Sequence, residues 1–232
     1  MDTIATAQIE GAQHRATYKN TDFDIDQPDT PAAVAATQIH TAHQLKVVGN
    51  TVTGHGGYST AKATHGVSSG KWCYEATVDG CIGHCRLGWG QILAEKQAPI
   101  GYDEYGYCYS DTGKFFHCSL SLSNSETFGL GDVIGCVICI EDGETRPETQ
   151  TDPSRTYPPL RKGVYNVEQK ISPGSFIEFY KNGVCVGRPF TDIYHGRYYP
   201  SVSLFGGASI TLNFGPVFFC DTPPGCSPLC SV

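Results

Sequence analysis

Within SFIEFYKNGVCVG, residues 175–187, two runs of alternating apolar and polar residues flank the pair Asn182-Gly183. Asn-Gly tolerates positive φ at both central positions of a type I′ turn, so the pattern predicts a tight β-hairpin. An isolated hairpin is marginal in water and needs further strands to bury its apolar face. The rest of the chain supplies them. In KWCYEATV, residues 71–78, Trp72, Tyr74, Ala76 and Val78 share one face of a strand while Cys73, Glu75 and Thr77 share the other. DVIGCVICI, residues 132–140, is apolar on both faces, as a central strand would be. YYPSVSLFGG and ASITLNFG read as a further strand pair. Glycine-rich turns separate these patterns and no convincing amphipathic helix interrupts them. The expectation is an all-β sandwich of two antiparallel sheets, with Trp72 and Phe179 in its core.

The 232 residues suit one large β domain. Residues 1–43 show no clear periodicity and read as a weakly ordered N-terminal arm. Residues 44–220 read as the domain, and 221–232 as an irregular C-terminal tail. Residues 141–174 are rich in Pro, Thr and charge, the composition of a long surface loop within the domain. No apolar run reaches the length of about 18 residues needed to span a bilayer. The first residues, MDTIATAQIEGAQHRATYKN, lack a basic start followed by an apolar block, so no secretory signal is expected. A formal net charge of −7 gives no global attraction for nucleic acid or an anionic membrane. Any anion recognition has to come from a local pocket.

The eleven cysteines are an odd number without an export signal, which predicts reduced thiols rather than a disulfide framework. Cys136 and Cys139 are three apart on a strand, face opposite ways and cannot close on one metal. Neither Cys81, His84 and Cys85 nor Cys220, Cys226 and Cys230 supplies four well-spaced ligands, so no metal site and no cofactor is expected. His65 and His117 are candidate bases, and Cys118 adjoins the latter. Adjacent strand residues point apart, which predicts no nucleophilic pair. LFGGAS lacks the lysine of a phosphate loop. No catalytic residue is assigned.

One short stretch invites a binding reading. HCRLGWGQ, residues 84–91, is a strand with Leu87, Trp89 and Gln91 on one face and Arg86, Gly88 and Gly90 on the other. A guanidinium beside two glycines either serves an internal ion pair, with an acid such as Glu75, or waits for a ligand.

GKWCYEATV, RLGWGQ, QAPIGYDEYGYCYSDTGKFFH, GLGDVIGCVI, IEFYKNGV and YYPSVSLF…ITLNFGP follow one another in the order expected of a SPRY domain. The wording resembles the SPRY domain of the Ash-two/Bre-two family, above all in GGYS…ATHGV, RLGW, QAP.GYD, FYKNGV and NFGP, over roughly residues 45–219. That resemblance implies a SPRY-type β-sandwich and a non-catalytic subunit of a nuclear complex that methylates lysine four of histone H3. It implies as partners an acidic segment of a WD-repeat subunit of the retinoblastoma-binding type and a SET-domain methyltransferase activated through it. No membrane and no direct nucleic-acid contact are implied. The family's peptide-binding pocket falls here on Tyr58, Arg86, Pro99 and Tyr102, where Arg86 would offer a planar fork to a carboxylate.

The chain departs from the family pattern beside this pocket. Where the family carries a second arginine, Ser110 stands, followed by Asp111, with Lys114 the nearest basic residue. Ser110 and Lys114 are therefore placed on the pocket rim, and a weaker grip than a two-arginine site is expected. The alternative function is a SPRY substrate-recognition module of another complex, of the ubiquitin-ligase adaptor or ribonucleoprotein type.

Overall fold

The computed structural model describes residues 33–80, 82–123, 126–141 and 170–232. Its strands are β1 (Ala36–Thr41), β2 (Leu45–Val48), β3 (Thr51–Gly54), β4 (Ser59–Ala63) and β5 (Gly70–Gly80). They continue with β6 (His84–Gly90), β7 (Gly106–Ser110), β8 (Lys114–His117), β9 (Leu120–Ser123) and β10 (Val133–Ile140). The last are β11 (Phe176–Lys181), β12 (Val184–Thr191), β13 (Tyr199–Phe205), β14 (Ser209–Asn213) and the two-residue β15 (Ser227–Pro228). One sheet has the order β1-β4-β13-β6-β7-β8-β9 and the other the order β12-β11-β10-β5-β14-β3-β2. Both are antiparallel, and β15 is added to β5 in parallel. This is the expected all-β sandwich.

The alternation in β5 and β6 builds the core between the sheets. Tyr74, Ala76 and Val78 from one sheet face Leu87 and Trp89 from the other, all of them essentially inaccessible to water. The Tyr74 ring meets Trp89 edge-on at 5.2 Å. Its hydroxyl donates to the Gly88 carbonyl at 2.7 Å, so the buried phenol is satisfied across the sandwich. Phe179 on β11 is fully buried among Tyr109 and Phe115, as expected. Trp72 is not in the interior. It lies half-buried at the core's margin, where its indole N–H donates to the Ser69 carbonyl at 2.6 Å. The hairpin is found where the sequence placed it, with Asn182 and Gly183 at φ of 50° and 79° between paired Lys181 and Val184.

The expected pairing of β13 with β14 does not occur. β13 lies between β4 and β6 in one sheet, and β14 lies between β3 and β5 in the other. Gly206 and Gly207, at φ of 61° and 96°, turn the chain from one layer to the other, and their amides donate to Gly56 and Gly54.

Ordered structure begins before the expected domain boundary, because β1 pairs with β4 and Val34 and Ala36 join the core. Residues 1–32 of the N-terminal arm, and 142–169 of the long loop, lie outside the described residues. The end of that loop docks, with the Ser172 amide donating to Ile193 at 2.8 Å. The tail expected to be irregular carries β15 and a 3-10 turn (Leu229–Ser231), and Leu229 is fully buried. Among the described residues, no helix is long and apolar enough to cross a membrane.

Candidate functional site

The outer face of the first sheet is polar at its centre. Thr60 and Lys62 of β4 lie opposite Ser203 and Ser201 of β13, and Ser203 lies opposite Arg86 of β6. The connection from β6 to β7, residues 91–105, is laid over this face. The Thr60 hydroxyl donates to the Ala98 carbonyl at 2.6 Å, and the Ile100 amide donates to Ser203 Oγ at 2.7 Å. Lys62, 1% exposed, donates from Nζ to the Ala94 carbonyl at 2.6 Å. Burial lowers its ammonium pKa to about 8, against the favourable charge of Asp103.

This covering loop answers what the glycines of β6 are for. A Cβ on Gly90 would lie 2.7 Å from Ile100 Cδ1, and one on Gly88 would lie 2.0 Å from the Tyr107 carbonyl oxygen. The space beside Arg86 is thus filled from within, by Ile100 and by the close approach of β7.

Arg86 is partly exposed. Its guanidinium carbon stands 3.8 Å from the centroid of Phe116 and 5.3 Å from that of Tyr58, and Nη1 donates to the Ile100 carbonyl at 3.3 Å. Glu75 is not its partner. That carboxylate belongs to the other sheet, where it accepts the amides of Phe219 and Cys220 at 2.8 and 3.0 Å. Among the described residues, no carboxylate forms an ion pair with Arg86. Tyr58 packs on Phe205 with ring centroids 5.2 Å apart, and burial raises its phenol above the usual range despite the pull of Arg86.

The structure brings Tyr58 and Arg86 together and places Pro99 and Tyr102 on the covering loop. The turn between these two is closed by the Tyr102 amide on the Pro99 carbonyl at 3.0 Å, and its Ile100 carbonyl is the one Arg86 holds. Tyr102 is 48% exposed. Ser110 lies directly opposite Arg86 in the β6–β7 ladder, hence on the same face, yet it is only 2% exposed. Its hydroxyl bonds the Asp111 carboxylate at 2.9 Å and accepts the Thr112 amide. Lys114 shares its face with Phe116 on β8 and is exposed. Asp111 also pairs with His84 Nδ1 at 2.9 Å.

Sequence reasoning missed Phe116 and Phe205. Phe116 was accessible, since alternation along KFFH puts Phe115 inside and its neighbour outside. Phe205 was not, because its place beside Tyr58 depends on the pairing of β13 with β4.

His117 and Cys118 do touch, against expectation, with Nε2 and Sγ 3.3 Å apart. Cys118 has left the strand, at φ of 51°, so the alternation rule does not apply to it. His117 Nδ1 lies 3.0 Å from the Gly106 carbonyl, and burial lowers its pKa to about 4. A neutral imidazole donating at Nδ1 and accepting the thiol proton at Nε2 satisfies both contacts. So weak a base, beside a thiol that is 5% exposed, is a structural pair.

A family model described as SPRY domain is matched by residues 71–145, the stretch that contains β6 and the loop laid over it. The chain carries a SPRY domain, and its sequence is similar to Ash2 subunits. It is similar to the Set1/Ash2 histone methyltransferase complex subunit ash-2 of Caenorhabditis elegans, 36% identical over 201 residues covering 76% of this chain and 35% of that protein. It is similar also to subunit ASH2 of Drosophila melanogaster, 35% identical over 195 residues, 76% of this chain and 35% of that protein. The chain thus spans about a third of the length of these relatives. Its fold is that of the SPRY domain of human HERC1, at a TM-score of 0.55 and 18% identity over 79% of this chain and 99% of that one.

Proposed function

We propose that this SPRY domain is a non-catalytic interaction module of a nuclear Set1-type histone H3 lysine-four methyltransferase complex. It binds an acidic segment of a WD-repeat subunit and so helps to hold and activate the SET-domain enzyme. The names of the similar proteins support the complex. The observation that carries the binding role is Arg86, a partly exposed guanidinium stacked on Phe116 and Tyr58 without an acidic partner among the described residues. Such a group is oriented by the rings and by Ile100, and its remaining N–H donors suit one carboxylate. Tyr58, Pro99 and Tyr102 would line the apolar walls on either side.

Calorimetry with an Asp/Glu-rich peptide tests the reading. Arg86→Ala is expected to weaken binding by about 2 kcal/mol or more. Because Arg86 also ties down Ile100, Arg86→Lys serves as the control that keeps the charge and loses the planar fork. It should fall between the two. Wild-type affinity in Arg86→Ala, with an unchanged circular-dichroism spectrum, would make this arginine an internal brace and remove the basis of the proposal.

A further inference from the structure

Phe205 ends β13 exposed to solvent, and Gly206, at φ of 61°, turns the chain away immediately after it. In the ladder Phe205 lies opposite His84, as Ser203 lies opposite Arg86. His84 and Arg86 are two apart on β6, so their side chains leave the same face of the sheet about 7 Å apart along the strand. The rings on this face form an unbroken row. Tyr58 and Phe205 have centroids 5.2 Å apart, Phe205 and His84 6.2 Å apart, and the Arg86 guanidinium continues the row 5.3 Å from Tyr58. His84 Nδ1 lies 2.9 Å from the Asp111 carboxylate, which also accepts the Ser110 hydroxyl at 2.9 Å, so the last ring is fixed from the side. In the other direction along β6, Ile100 of the covering loop occupies the face over Gly90, whereas His84 and Phe205 are exposed. Single exposed rings are ordinary on a protein surface. A contiguous row beside a guanidinium that no carboxylate of the described residues pairs is a binding feature.

We propose that the row of Tyr58, Phe205 and His84 is a second subsite beside Arg86, and that it takes an aromatic side chain two residues from the acid that Arg86 holds. The inference rests on the acidic-peptide reading of Arg86 and adds the residue that the peptide carries beside its acid. An extended peptide presents alternate side chains on one side, at the same repeat as the strands beneath it. With one carboxylate on Arg86, the side chain two residues along falls over Phe205 and His84. A side chain one residue from the acid points away from the sheet. The chemistry of the row decides what it accepts. The Asp111 carboxylate behind His84 disfavours a second acid there. That carboxylate is largely covered and already engaged by His84 and Ser110, so it offers little to a basic side chain. The exposed ring surface remains, and a flat ring gains most from offset or edge contact with it.

Nuclear magnetic resonance titration of the full chain with two peptides of one composition tests this. Each carries a single glutamate and a single phenylalanine in a Gly/Ser host. The ring stands two residues from the acid in the first peptide and one residue from it in the second, and both chain orders are made. In at least one order, the two-residue spacing is expected to bind tighter than the one-residue spacing by about fivefold or more. High salt should weaken both peptides and preserve this ratio, since screening acts on the carboxylate and not on the ring contact. In Phe205→Ala the ratio should fall to about one, and it should fall also in His84→Ala, at an exposed position outside the core. Equal affinity at both spacings, with Arg86→Ala weakening both, would overturn the aromatic subsite and leave the acidic reading standing. Undiminished binding of both peptides in Arg86→Ala, or no binding by the wild type, would remove that reading and the subsite with it. A full ratio retained in both Phe205→Ala and His84→Ala would equally sink the proposal.

Discussion

Arg86 and Ser110 sit across from each other on neighbouring strands, with side chains on one face, and differ in what the surrounding turn does to them. Arg86 leans on two rings, whereas Ser110 is folded into the turn by Asp111 and Thr112. Ser110→Arg should place a second guanidinium beside the first and tighten an Asp/Glu-rich peptide by about 1 kcal/mol, the neighbouring Asp111 taking up part of its charge. Calorimetry against the wild type reads this directly, and unchanged or weaker binding would mean that the turn seals this position. At this scale sequence reading reached the residue types but not their surroundings. RLGW announces a strand arginine, yet the filling of the glycine space by Ile100 depends on a loop whose course no periodicity encodes. The contact between His117 and Cys118 was lost for a related reason: alternation holds only while the chain remains extended.

Among the elements, the β6–β7 connection owes its position to side chains beneath it, and Lys62 is the one of these that can carry a charge. Its folded pKa, lowered to about 8 from 10.5 by burial, fixes the sign of a pH effect. Between these values the unfolded chain keeps a proton that the folded chain has released, so this group's contribution to stability rises with pH across that window. Many buried thiols and phenols act oppositely, and the effect is therefore read as a difference. The stability of wild type relative to Lys62→Met should shift toward wild type from pH 8 to pH 10, measured by denaturant unfolding, and a flat difference would deny the burial cost. The hairpin at Asn182-Gly183 was legible because its chemistry is local. The separation of β13 from β14 was not, since two glycines permit either a hairpin or a crossing and only the layers decide. The tail was misread because one buried leucine, Leu229, carries its docking and has no periodic partner.

At the scale of the whole molecule, one core holds the sandwich, and Phe179 packs there in an aromatic cluster with Tyr109, Phe115 and Phe190. Phe179→Ala should cost about 3–5 kcal/mol, seen as a fall in the urea midpoint, because rigid rings on all sides close poorly over the cavity. A loss below about 1 kcal/mol would mean that the cluster repacks. Folding and the candidate site meet in a single strand. In β6, Leu87 and Trp89 face the core while Arg86 and its glycines face the loop. Substitutions on the outward face can therefore re-aim the domain at new peptides with little debt to folding, whereas inserting one residue in this strand would exchange the two faces and forfeit both. Lineages built on such a strand are free to drift in what they recognise, provided that its length does not change.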